Sequence, residues 1–268
     1  MSKRPRVGSA ATAATIALTC LVTVVEADES LPYSLAALGT LTCSQIDAKL
    51  NEGIAAGDAE AAYSSAQLLI RRVCFRYDPK AYVVLLQKAA DGGHKRAQWD
   101  LGYAIGLGEG APQSYAKAGE LISGASPRTY GEKLGNAAPE QYNYTVGYGH
   151  TLIRLATREV NGLPRHWWKH DHVVRVEIRL HTPDGEHSIS VKREGPVPEG
   201  GESEVREAEK LVLEAAEDSF RKAVKKLPAP DKALLVEENF VQPVNMLLYA
   251  STSNRRPTAG EVDIYLPR

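Results

Sequence analysis

The chain carries no surplus of charge. Its 268 residues include 32 Lys and Arg against 33 Asp and Glu, a formal net of −1. With the total so near neutral, nothing points to bulk nucleic-acid binding. Enzyme signatures are missing as well. There is no G-x-S-x-G elbow, no P-loop, no G-x-G-x-x-G in a βαβ setting and no H-E-x-x-H. Covalent hydrolysis, nucleotide binding and zinc-protease chemistry therefore have no motif to rest on. Gly106-Leu107-Gly108-Glu109-Gly110 is glycine-rich, but it lies between helical patterns and reads as a turn, not a phosphate cradle. Cysteine is scarce, at three residues. Apolar residues are not: at 43% they are enough to build buried cores, and the length permits one large or two modest domains.

Residues 1–27 read as a targeting segment. Lys3, Arg4 and Arg6 form a basic start, and 9–25 is uncharged and rich in Ala, Thr, Leu and Val. Val25 and Ala27 occupy the two small-residue positions before Asp28, so cleavage after Ala27 and a periplasmic location are expected. The alternative is an uncleaved inner-membrane anchor, because the apolar run is only slightly short of a spanning helix. In that case the segment would be the chain's one membrane contact. Cys20 follows Ala17-Leu18-Thr19, which departs from a lipobox, where a small residue stands just before the cysteine. Cleavage removes three basic and one acidic residue, leaving 29 and 32 and a net of −3.

It also leaves two cysteines, Cys43 and Cys74. Their surroundings predict helices over 43–56 and 58–75, with Gly57 as the stop and Asp58 as the new N-cap. In a helical hairpin the start of the first helix lies beside the end of the second. An even pair in an oxidising compartment then favours a disulfide worth ~2–4 kcal/mol. Two buried free thiols are the alternative.

Residues 58–126 contain an internal repeat. Ala62 and Ala97 are 35 residues apart, and Ala81 and Ala118 are 37 apart. A period near 36 with small residues at fixed points is the signature of stacked helical hairpins. Ala97, Leu101, Gly102 and Gly106-x-Gly108 resemble the core of the Sel-one-like repeat, a relative of the tetratricopeptide repeat. The gap between the Leu-Gly pair and Gly-x-Gly is shorter here than in that family. The first repeat is degraded: no Leu-Gly pair follows Ala62, and its loop departs around Arg76 to Pro79. The resemblance implies an α-solenoid platform over 28–126 that scaffolds protein contacts. Two repeats make a short one. Residues 127–142, with Pro127, Gly131, Gly135 and Pro139, read as a linker.

The most informative stretch is Val173 to Val191. Val174, Val176, Ile178 and Leu180 alternate with Arg175, Glu177 and Arg179, the period of a half-buried strand. Thr182-Pro183-Asp184-Gly185 supplies a turn, and His187, Ile189 and Val191 continue on one face. Helical patterns flank the hairpin at 144–160 and 202–224. The second bears a stripe of Val205, Ala208, Leu211, Val212, Ala215, Ala216, Ser219, Phe220 and Ala223. Its charged outer face, with pairs such as Glu202–Arg206, reads as solvated. A last strand is expected over 240–249, with Pro243 placing it at an edge or near the strand start. Residues 251–268 read as a tail or short extra strand, with Val262, Ile264 and Leu266 alternating. The fold class is thus α+β, with helical hairpins followed by two helices on one face of a three-stranded antiparallel sheet.

The strand–TPDG–strand unit, the long helix after it, the Leu227-Pro228-Ala229-Pro230 break and the closing Phe240-Val241-Gln242-Pro243-Val244 strand resemble the carboxy-terminal domain of TonB and TolA. The resemblance covers about 142–250, and the domain is drawn over 143–250. It implies a non-enzymatic envelope adaptor that binds protein partners by β-strand addition to the last strand. The contact candidates it points to are Phe240, Gln242, Val244, Asn245 and Tyr249. An edge-to-edge homodimer would use the same strand. Energy transduction in the TonB sense is the alternative, but the linker is short and lacks that family's long proline-rich spacer. No cofactor is implied. His166, His170 and His172, within a run containing Trp167 and Trp168, are the candidate metal ligands, since neutral imidazole suits zinc and copper. The competing reading is a loop with packed Trp and solvated His entering the strand.

Overall fold

The computed structural model describes residues 33, 35–159, 168–248 and 261–263. The targeting segment, Cys20, His166, Trp167 and Tyr249 lie outside the described residues.

The first half is a run of helices: α1 (Leu35–Leu38), α2 (Cys43–Ala55), α3 (Ala59–Arg71), α4 (Pro79–Asp91), α5 (Lys95–Leu107), α6 (Tyr115–Ala125), α7 (Glu132–Gly135) and α8 (Pro139–Glu159). Their starts are written in the sequence. Thr42 and Gln45 close a capping box on α2, and the side chains of Asp58, Asp78, His94 and Ser114 cap α3 to α6. Equivalent points recur 36 residues apart. The caps Asp58 and His94 are one such pair, and Asp78 and Ser114 are another. The helix ends repeat too. Arg72 (φ 56°) and Cys74 (φ 63°) take the left-handed conformation that Gly108 (φ 72°) and Gly110 (φ 77°) take 36 residues later. The loop after α3 therefore keeps the backbone of the loop after α5 without its glycines. A non-glycine residue there costs roughly 1–2 kcal/mol.

The Sγ atoms of Cys43 and Cys74 lie at bonding distance, with Cα atoms 5.3 Å apart, and join the start of α2 to the loop after α3. Between α3, α4 and α5, small and large apolar side chains interleave: Ala62, Ala66, Tyr82, Leu86, Ala89, Ala97, Leu101 and Ala104 are buried together. The contact of α6 with α8 is closer still. A Cβ on Gly119 would lie 1.8 Å from the Asn143 carbonyl oxygen, and one on Gly147 1.9 Å from that of Tyr115.

The stretch expected as a linker, 127–142, holds α7 and the first turn of α8. Leu134 is fully buried in it, and Pro139 starts α8 five residues before the expected position, as a proline at a helix start can.

The second half is β1 (His172–Thr182), β2 (His187–Glu194), α9 (Glu202–Lys226), a 3-10 turn at Lys232–Leu234, β3 (Glu238–Leu248) and β4 (Glu261–Asp263). The expected antiparallel strands are present as β2-β1-β3, with Val176 opposite both Val191 and Val244. The expectation of three strands is extended by one: β4 runs parallel to β3 against Asn245–Leu247. Along β1, Val174, Val176, Ile178 and Leu180 are buried and Arg175 and Arg179 exposed. Helices α8 and α9 cover that buried face. Val205, Ala208, Val212, Ala216, Phe220 and Ala223 of α9 are buried, and Leu211 and Ala215 flank them. One core joins both halves, from Tyr115 and Ile122 through Leu134 and α8 to the sheet. Among the described residues no helix is long and apolar enough to cross a membrane.

Candidate functional site

The proposed contact strand has two different margins. Over Glu238–Val244, β3 pairs with β1 alone among the described residues; over Asn245–Leu247 it is covered on its outer side by β4. The reading of β3 as an edge thus needs correcting at Asn245, where the chain itself supplies a neighbour. Phe240 is also corrected: its side chain is 3% exposed and seated in the core. A Cβ on Gly149 would meet its ring at 2.6 Å, and His150 lies edge-on to it with centroids 5.4 Å apart. Gln242 and Asn245 are half-exposed, and Val244 packs against the margin of the core. The opposite edge of the sheet is β2, which pairs only with β1 among the described residues.

His170 and His172 gather around a carboxylate. Glu204, in the first turn of α9, accepts the backbone N–H groups of Lys169 (2.7 Å) and His170 (3.1 Å). It also meets His170 Nδ1 at 3.2 Å and His172 Nε2 at 3.1 Å. Arg193 Nε donates to His172 Nδ1 at 3.2 Å, which leaves the Nε2 proton to donate to Glu204. Burial works against ionisation of Glu204, but the donors from His170, His172 and Lys169 outweigh it and hold the carboxyl at about 2. With both ring nitrogens engaged, His172 has no lone pair to offer a metal. Among the described residues no three His, Cys, Asp or Glu side chains are grouped to hold one. Trp168, 5% exposed, packs edge-on to the His172 ring. The contacts of Glu204 tie the entry of β1 to the start of α9.

A second polar cluster crosses from the hairpins to α8. Asp100 is 5% exposed on the inner face of α5. Its Oδ1 accepts Arg154 Nη2 at 2.6 Å, and its Oδ2 accepts the Tyr63 hydroxyl at 3.1 Å and Gln67 Nε2 at 3.3 Å. The Arg154 guanidinium lies 4.2 Å from the ring centroids of both Trp99 and Tyr103. Burial, then the Asp100 charge, push the Tyr63 hydroxyl upward, so it stays a donor. No motif led to this cluster, because its central pair is 54 residues apart. One local signal was present: Asp100 puts an ionisable group beside Leu101 on a face that otherwise buries Ala97 and Ala104.

No protein-family model, curated protein or solved structure matches the chain.

Proposed function

We propose that the chain is a non-enzymatic adaptor of a Gram-negative cell envelope, binding protein partners through its helical hairpins and by strand addition to β3. The 36-residue recurrence of caps and left-handed loop positions supports the Sel-one-like reading of α3 to α6. The antiparallel β2-β1-β3 order under two helices supports the TonB/TolA-like reading of the second half. A disulfide between Cys43 and Cys74 suits the oxidising periplasm.

The observation that carries the proposal is β4. Three residues of this chain lie against the outer side of β3 as an added strand. A pairing that short is readily displaced, and the adjoining Glu238–Val244 margin offers further backbone N–H and C=O groups. Pro243 sits just outside the stretch that β4 covers. The test is photo-crosslinking in the native envelope from an unnatural residue placed at Gln242 and, separately, at Val244. Discrete heterologous adducts that disappear with Asn245→Pro are expected. Adducts confined to this chain's own residues would refute strand addition.

A further inference from the structure

The Asp100–Arg154 cluster floors a recess of about 320 Å³ lined by Lys95, Arg96, Trp99, Asp100, Ala125, Ser126 and Arg154. Three cations face it and one carboxylate. That carboxylate is spent, since both Asp100 oxygens are already engaged by Arg154, Tyr63 and Gln67. The balance at the recess is therefore positive. Arg154 is held in place rather than waving in solvent, gripped by two aromatic rings and by Asp100. Its Nη1 is buried and has no hydrogen-bond partner.

Lys95 and Arg96 add an independent argument. They occupy the first turn of α5, where no acidic residue stands. Cations at a helix N-terminus oppose the macrodipole. Two together at the mouth of a recess, beside the held guanidinium of Arg154, oppose helix stability but favour an anion. Lys95 Nζ donates to the Gly124 carbonyl at 3.1 Å, which directs it across the recess and leaves two of its three protons available.

We propose that this recess binds a small oxyanion, a carboxylate or phosphate group, between Arg154 at its floor and Lys95 and Arg96 at its mouth. The volume lies at the small end of ligand sites, which limits the occupant to a compact anion or the anionic end of a larger molecule. The delocalised guanidinium charge, with the two further cations, suits either group.

The experiment is a backbone-amide NMR titration of the oxidised protein with succinate and, separately, with inorganic phosphate, at low ionic strength. Saturable shifts centred on Lys95, Arg96, Ala125 and Ser126 are expected with at least one probe. Succinate alone assigns the site to carboxylates, phosphate alone to phosphates, and both to oxyanions generally. In the double variant Lys95→Gln/Arg96→Gln the same titration should weaken about tenfold or more. Both positions are exposed, so the fold should survive, and unshifted distant amides verify that. Absence of saturation with both probes, or equal affinity in the double variant, would overturn the proposal. Either result leaves strand addition at β3 unaffected.

Discussion

His150 shows how one buried side chain sets an acid limit on the molecule. It is 5% exposed, lies edge-on to Trp99 and Phe240, and has the Tyr130 hydroxyl 3.1 Å from Nε2. Burial, and secondarily the Arg128 charge, lower its pKa from 6.5 to about 4. The unfolded chain takes up a proton at the higher value, while the folded chain refuses it until the lower one. Stability therefore falls as pH drops from 6.5 toward 4, by about 1.4 kcal/mol per pH unit and up to about 3 kcal/mol in all. Glu204 acts in a lower window: its contribution is present above its unfolded value near 4.5 and is lost as pH falls toward 2. Urea unfolding between pH 7 and pH 4 should thus show a steep acid loss that flattens in His150→Gln, which keeps a polar group for Tyr130. Parallel slopes in the two proteins would mean that His150 is protonated in the fold. Neither value could be read from the sequence, because each depends on neighbours brought in from distant segments.

At the scale of elements, the α6–α8 crossing makes the sharpest demand. Gly119 and Gly147 each put backbone against backbone, so an added methyl group must push the helices apart. Gly119→Ala and Gly147→Ala should each cost about 2 kcal/mol or more in denaturant unfolding. Gly135→Ala has open space around it and should stay within about 0.5 kcal/mol of the parent. A uniform response would show that the crossing is looser than described. This contrast marks what local patterns can carry. The β1–β2 hairpin, the α9 stripe and the Asp58 cap of α3 were legible, because period and capping chemistry are local. The burial of Leu134 was not, since one leucine among glycines and prolines has no period and the core it joins is assembled from distant segments. The core position of Phe240 was missed for a related reason. Its pocket exists only because Gly149, far away in sequence, has no side chain.

For the whole molecule, the decisive fact is that one core runs across 127–142, while the earlier helices bury clusters of their own. The sequence divides naturally at 127–142, yet Tyr115 and Ile122 of the helical half share a core with the sheet, and the Tyr115 hydroxyl donates to the Pro228 carbonyl at 2.9 Å. If a protease site is placed at the exposed residues Pro127–Thr129 and cut, the two pieces should still elute as one species in native size-exclusion chromatography. Independent domains would separate. The order helix, strand, strand, helix, strand was foreseeable; that the hairpin array would lean on α8 was not, because apolar periodicity states that a face is buried but not against what. A crosslink formed between Cys43 and Cys74, whose Sγ atoms lie at bonding distance, has one more consequence, for a chain under tension. Pulled from its two ends, the polypeptide transmits load directly across the bridge, so the 31 residues of contour from Cys43 to Cys74 carry none of it. Roughly 100 Å of extension is thereby withheld. Helices α2 and α3 would remain folded in the slack while the rest of the array bore the force.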